Sequence, residues 1–180
     1  MMTKKIIVFS GKQFSGKDTV AKIILERFPS FKRIGIADAI KMRYSEKTGL
    51  SLTEIETNKS VYRQDLIDLG DWGRAQSPDY WLNSIIAYEG DTVVTDIRMK
   101  HELDKFRSNG AFAVRVEASE EARSKRGVLS SKNDTTETQL DCVDDWDYVI
   151  HNEGSYDDLV LEVENLIDAI CKKLGLTSVT

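Results

Sequence analysis

Lys5-Ile6-Ile7-Val8-Phe9-Ser10 runs directly into Gly11-Lys12-Gln13-Phe14-Ser15-Gly16-Lys17, and the reading of this junction decides the fold. An unbroken apolar run without polar alternation is what a parallel strand covered on both faces requires. The stretch that follows fits G-x-x-x-x-G-K, and it stands between that strand and a helical pattern, where a phosphate-cradling loop works. Gly11 and Gly16 let backbone N–H groups around Ser15 turn inward on phosphate oxygens. The N-terminus of the next helix adds a favourable dipole, and Lys17 supplies a point charge for β- and γ-phosphates. The residue after Lys17 is Asp18 rather than the usual Mg²⁺-binding hydroxyl, with Thr19 one place further on. A carboxylate can hold Mg²⁺ directly or through water. An acid in the first helical turn is also favoured by the dipole alone, so both readings of Asp18 stand.

Outward from this junction the chain alternates strands and helices. Val20, Ile24 and Phe28, with Ala21 and Leu25, make one buried stripe of a helix that Pro29 ends. Residues 33–36 are expected as a short strand and 37–48 as a helix. Residues 51–57, 59–70 and 78–88 are expected as further helices, with Gly70, Gly73 and Ser77-Pro78 as breaks. Asp91–Asp96 is a strand ending in a carboxylate, 100–108 a helix closed by Asn109-Gly110, and Phe112–Val116 a strand. Ser119 caps a short basic helix, 128–141 is polar and irregular, and Asp147–Ile150 is the last strand. Leu159, Val163, Leu166, Ile170 and Leu174 then form the stripe of a long helix with Lys172 and Lys173 in its final turn. The pattern predicts an α/β three-layer sandwich, a five-stranded parallel sheet with helices on both faces. Right-handed crossovers limit its topology to a few, of which the order 2-3-1-4-5 is the one expected with the resemblance given below. A helical insertion precedes Asp96, and a short lid spans approximately 124–140, all within a single domain, 1–180.

A chain of 180 residues with 41% hydrophobic content can bury one core. Twenty-five basic against 30 acidic residues, net −5, give no global footprint for nucleic acid or membrane. Two Cys and two His argue against a disulfide scaffold and a zinc site, and favour a reducing cytoplasm. No apolar run reaches the roughly 18 residues that span a bilayer, and the apolar run after Lys4-Lys5 is too short for a signal peptide. The expected partner is a small phosphorylated molecule, with the protein a monomer or small homo-oligomer.

Val93-Val94-Thr95-Asp96 is an apolar strand ending in Asp, as in the element that faces a phosphate loop from a neighbouring strand. Arg98 follows at the carboxyl end of the strand, where open α/β sheets bind ligands. Lys17, Asp96 and Arg98 are the catalytic candidates, and Asp18 and Asp96 the candidates for Mg²⁺. Lys12 lies in the loop. Lys41 and Arg43 follow the second strand, Lys59, Arg63 and Arg74 lie in the helical insertion, and Arg123 and Arg126 precede the polar loop. Each alone reads as a solvated charge; their clustering after strand ends in an acidic chain carries the argument. If the acceptor is itself a phosphate, its oxygen is already ionised and needs no general base. Bringing two polyanions together takes Arg, Lys and Mg²⁺, which explains how His is dispensable. Asp141, Asp144 and Asp145 read as a solvated acidic loop, and Trp72, Trp81 and Trp146 as core or lid-hinge residues.

Ser10–Asp18, Tyr62-Arg63-Gln64-Asp65, Gly70-Asp71-Trp72-Gly73-Arg74, Thr95-Asp96-Ile97-Arg98, Glu120–Gly127 and Asp145–Ile150 with Asn152 and Gly154 together resemble the animal-type phosphomevalonate kinases. That family has the nucleoside-monophosphate-kinase-like P-loop fold. The resemblance implies ATP and Mg²⁺ with a phosphorylated mevalonate as acceptor, giving a diphosphate. It implies that Lys12 and Lys17 hold ATP phosphates, within a donor site of Gly11, Ser15, Gly16, Asp18 and Thr19. Lys41, Lys59, Arg63, Arg74 and Arg98 would line the acceptor side, and Arg123 and Arg126 would belong to a lid over ATP. The family carries two adjacent arginines after the strand Asp; here the second position is Met99.

Ser15–Thr19, Ala37-Asp38-Ala39-Ile40-Lys41, Tyr80-Trp81 and Asn133-Asp134-Thr135 are also similar to phage and bacterial deoxynucleoside monophosphate kinases, which makes a deoxynucleoside monophosphate the alternative acceptor. A nucleotide-binding regulator without catalysis is the second alternative, opposed by the presence of Lys17, Asp96 and Arg98. No Asn-Lys-x-Asp guanine-reading segment occurs.

Overall fold

The computed structural model describes residues 4–129 and 138–179. The chain forms two compact units, Met1–Arg33 with Glu89–Thr180, and Ile34–Tyr88.

The first unit is built on a five-stranded parallel sheet in the order β2-β3-β1-β4-β5, as the sequence predicts. Its strands are β1 (Ile6–Ser10), β2 (Lys32–Arg33), β3 (Thr92–Val94), β4 (Phe112–Glu117) and β5 (Tyr148–His151). All five residues of β1 are buried, because β1 is central and covered on both faces. Ile7 pairs with Val93 of β3 on one side and with Phe112 of β4 on the other. Side chains alternate along a strand, so Ile7 and Phe9 enter one core. There they meet α1 (Lys17–Arg27) and α8 (Tyr156–Leu174) through Val20, Ile24, Val163, Leu166 and Ile170. Ile6 and Val8 point the other way; α6 (Lys100–Ser108), with buried Leu103 and Phe106, packs on β1 and β4. Full burial of side chains such as Phe9 and Ile7 contributes about 1.5–3 kcal/mol each. Neighbouring parallel strands bring their carboxyl ends to one edge, so the loops after β1 and β3 leave from the same side. On that edge β1 is flanked by β3 and β4, the arrangement at which open α/β sheets bind ligands. The short α7 (Glu120–Arg126) follows β4. Of the predicted lid, residues 130–137 lie outside the described residues, and with them Asn133-Asp134-Thr135.

The second unit is helical: α2 (Ile36–Thr48), α3 (Leu52–Thr57), α4 (Lys59–Gln76) and α5 (Tyr80–Ala87). Two expectations are corrected here. The second strand is Lys32–Arg33 rather than 33–36, because the Gly35 N–H donates to the Asp38 carboxylate at 2.9 Å and starts a helix at Ile36. Helix α4 continues through Gly70 and Gly73 to Gln76 instead of breaking there. The glycines make room for Trp81: its indole N–H donates to the Gly70 carbonyl at 3.0 Å, and a Cβ on Gly73 would stand 2.6 Å from the indole ring. A buried aromatic laid flush on the helix backbone outweighs the roughly 1 kcal/mol propensity cost of each glycine.

Candidate phosphate-binding and acceptor sites

The loop after β1 turns through the Ser15 N–H, which donates to the Lys12 carbonyl at 3.1 Å. Gly16 closes it at φ 99, left-handed backbone that favours glycine. Here a side chain would also strike Asn152, whose Nδ2 donates to the Ser15 carbonyl at 2.8 Å. Asn152 is buried just past β5 and thereby pins the loop from the far side of β4. The Ser15 hydroxyl is buried and has no hydrogen-bond partner among the described residues. Leaving such a group unsatisfied costs about 1–3 kcal/mol, and a phosphate oxygen in the loop would satisfy it.

A cleft of about 450 Å³ brings Gly16, Lys17, Asp18, Thr19 and Arg126 together with Phe14. Thr19 therefore faces the same space as Asp18. The Asp18 carboxylate lies 3.8 Å from Lys17 Nζ and accepts from Arg33 at 3.4 Å. Arg33 Nε also donates to the Thr95 hydroxyl at 3.0 Å. Arg33 thus ties the start of α1 to the end of β3, next to Asp96. Among the described residues no three His, Cys, Asp or Glu gather as a metal cage. Asp18 and Thr19 share the cleft, and Asp96 follows the Thr95 that Arg33 links to Asp18. Mg²⁺ needs no more than one or two carboxylates, completing its shell with water and substrate phosphates.

A second cleft of about 490 Å³ holds Lys12, Ser15 and Arg123. Asp141, expected as part of a solvated acidic loop, lies here between two cations: Lys12 Nζ at 2.6 Å and Arg115 Nη2 at 2.9 Å. Arg115 is buried on β4 and also donates to the Ser10 hydroxyl at 2.9 Å. Such a buried guanidinium requires a carboxylate partner, which is why Asp141 is drawn in. A charged residue inside the apolar run Phe112–Val116 was the available sequence signal for Arg115.

Helix α7 is fixed at both ends. The Ser119 N–H and hydroxyl donate to Glu153 at 2.5 and 2.7 Å. These bonds hold the Glu153 carboxyl below the usual carboxylate range. At the other end Arg123 donates to the Gln13 carbonyl at 3.4 Å. Arg126 donates to the carbonyls of Phe14 and Asn152, at 3.2 and 2.8 Å. Both arginines predicted for the donor side therefore touch the phosphate loop. Phe14 itself has φ 59, the one positive φ among described non-glycine residues. For a bulky side chain this conformation costs about 1–3 kcal/mol.

In the helical unit, a cavity of about 330 Å³ collects Lys41, Lys59, Arg63 and Arg74 against Ala37, Ile40, Leu66 and Ile67. Four of the five predicted acceptor-side residues thus converge. Lys41 donates to Glu56 at 2.5 Å, and Glu56 is held below its ordinary pKa by that bond and the lysine's charge. Arg74 donates to Asp71 at 2.7 Å. The fifth residue, Arg98, is exposed in the loop after β3, where its N–H donates to Glu102 at 2.9 Å. Of the tryptophans, Trp81 is buried and Trp72 is exposed rather than in a core. Trp146 lies under the guanidinium groups of Arg107 and Arg115. No described helix is long and apolar enough to cross a membrane.

Comparison with known proteins adds two family models. One described as phosphomevalonate kinase matches residues 9–112, and one described as deoxynucleotide monophosphate kinase matches residues 64–163, each more than half of the chain. Among solved structures, a shikimate kinase from Aquifex aeolicus aligns at 16% identity and TM-score 0.52, covering 93% of this chain and 98% of that one. A gluconokinase from Sinorhizobium meliloti aligns at 18% identity and TM-score 0.53, covering 97% of each chain. These structures share the sheet-and-loop architecture.

Proposed function

The chain belongs to the P-loop kinases of the phosphomevalonate kinase and deoxynucleotide monophosphate kinase families, and from that premise we propose that it transfers the γ-phosphoryl group of ATP to phosphomevalonate, giving diphosphomevalonate. The observation that carries the choice of acceptor is the lining of the helical unit's cavity. Four cations stand against an aliphatic wall, with no aromatic or amide side chain among the described residues that line it. A small aliphatic acid bearing a carboxylate and a phosphate matches that surface. A nucleobase draws on stacking and on hydrogen bonds to its edges.

In the proposed reaction an oxygen of the acceptor phosphate attacks the γ-phosphorus, the bond from that phosphorus to the bridging oxygen breaks, and ADP leaves. The acceptor oxygen is ionised near neutral pH, so no side chain need remove a proton. The work left for the protein is to hold two polyanions together and offset their charge. The loop N–H groups from Gly11 to Gly16, with Lys12 and Lys17, would hold the ATP phosphates, and Arg123 and Arg126 would add charge from α7. Lys41, Lys59, Arg63 and Arg74 would bind the acceptor's anionic groups, and Arg98 would pair with its phosphate in a two-point contact. Mg²⁺, held through Asp18, Thr19 and Asp96, would neutralise charge on the transferring phosphates.

The match of residues 64–163 to deoxynucleotide monophosphate kinases favours a second reading, with a deoxynucleoside monophosphate as acceptor. Coupled ADP release separates the two. The purified protein with ATP and Mg²⁺ is offered phosphomevalonate, each deoxynucleoside monophosphate, or no acceptor. Stimulation by phosphomevalonate alone is the expected result; stimulation by a deoxynucleotide alone replaces the first reading with the second.

A further inference from the structure

Gly127 follows α7 with φ 177, an extended conformation open to any residue. The reason for a glycine there is space. A Cβ at Gly127 would run into three atoms of the Phe14 ring, so the ring lies directly on the Gly127 backbone. Phe14 is the residue held at φ 59, and it is 44% exposed as a residue, so burial in the core does not explain its conformation. The same short segment donates twice to this loop, Arg123 to the Gln13 carbonyl and Arg126 to the Phe14 carbonyl. Lys17 and Arg126 line one cleft together with Phe14, whose ring is in contact with the end of α7. Strained backbone persists where surrounding contacts over-determine it, and such sites cluster where geometry is needed for function.

We infer that Phe14 is a positioning residue for the donor phosphates, acting through Gly127. The ring seated on that glycine sets the distance between the phosphate loop and α7. It thereby sets where the Arg123 and Arg126 guanidinium groups stand relative to Lys17. The inference rests on the proposal that this loop binds ATP. A phenylalanine without the glycine opposite would push α7 off the loop; the glycine without the ring would leave α7 without its stop.

The test is a double-mutant cycle on Gly127→Ala and Phe14→Gly, read by calorimetric ATP binding without acceptor, by melting temperature, and by KM for each substrate. Gly127→Ala is expected to weaken ATP binding about tenfold, and Phe14→Gly several-fold, with acceptor KM unchanged. In the double variant the methyl group no longer meets a ring, so the two losses should fall well short of adding. Phe14→Asn, which tolerates positive φ, should lose affinity like Phe14→Gly although it keeps a side chain. Should Gly127→Ala fail to fold, the two Phe14 variants still decide the matter, since the inference requires both to weaken ATP binding. Unchanged ATP affinity in the Phe14 variants, or additive losses, overturns the inference while leaving the kinase reading in place. Absence of ATP binding by the unmodified protein overturns both. A fall in melting temperature with ATP affinity unchanged assigns the contact to stability alone and also overturns it.

Discussion

The cations around the phosphate loop and those of the helical unit's cavity are held in different ways. At the loop, Arg123 and Arg126 donate to neutral backbone carbonyls of Gln13, Phe14 and Asn152. In the cavity, Lys41 and Arg74 are paired with the carboxylates of Glu56 and Asp71. A carbonyl orients a guanidinium without neutralising it, although at Arg126 the charge is also felt by the Glu153 carboxylate. A carboxylate cancels that charge, and an arriving anion must compete with it. The exposed Arg74–Asp71 pair contributes only about 0–1 kcal/mol; the Lys41 side chain is 14% exposed, so its pair with Glu56 is screened less by solvent. Lys12, paired with Asp141, is the exception on the donor side.

The largest expected effect removes the feature both regions depend on. Lys17→Ala should lower kcat by about 10²–10³ with the fold intact, since the lysine acts on charge in the transferring group. Circular dichroism and ADP release check it; normal turnover would sever the loop from catalysis. Next comes Arg98. Arg98→Ala should raise acceptor KM and lower kcat, a loss of about 2–4 kcal/mol of transition-state stabilisation, with ATP binding nearly unchanged. Arg98→Lys keeps the charge but loses the fork, and should remain clearly impaired. Weaker ATP binding with unaltered acceptor KM would move Arg98 to the donor side. The smallest effect sharpens the contrast in pairing. Glu56→Gln removes the nearer of two carboxylates at Lys41, leaving Asp38 at 3.8 Å, so acceptor KM should fall about two- to fivefold while KM for ATP stays put. Because Lys41 depresses the Glu56 pKa, the competing carboxylate is fully charged above the ordinary carboxylate range. The difference between Glu56→Gln and the unmodified protein should therefore hold from about pH 5 upward and shrink only as acid protonates Glu56. Steady-state kinetics across that range would show it.

The sheet was legible because its signals are local and strong. Ile6 to Ser10 is an unbroken apolar run, and Gly11 to Lys17 can sit in few places other than the end of such a strand. Crossover handedness narrows the strand orders to a few, and the resemblance to P-loop kinases singles out one of them. Helix α4 was misread because Gly70 and Gly73 look like breaks in one dimension, whereas they are the imprint of Trp81 from the next helix. Asp141 was misread for a related reason: its partner Arg115 is 26 residues away in sequence, beyond any periodicity argument. The cation set Lys41, Lys59, Arg63 and Arg74 could be named from sequence, but its convergence on one cavity depends on how α2 and α4 pack. Phe14 was visible only as a filler position in a motif. The positive φ and the bare backbone of Gly127 are properties of three dimensions.

Strand β2, at one edge of the sheet, has only two residues, Lys32 and Arg33, both exposed. An edge strand presents unpaired N–H and C=O groups on which another chain can build, and long apolar edges are those that seed aggregation. This edge offers a neighbouring molecule almost no backbone to pair with and two positive charges that repel a like edge. The apolar run Ile6–Ser10 is meanwhile locked between two paired neighbours. The β2 edge is therefore guarded against pairing with a second sheet by its brevity and charge, and unfolding would release Ile6–Ser10 from both partners at once.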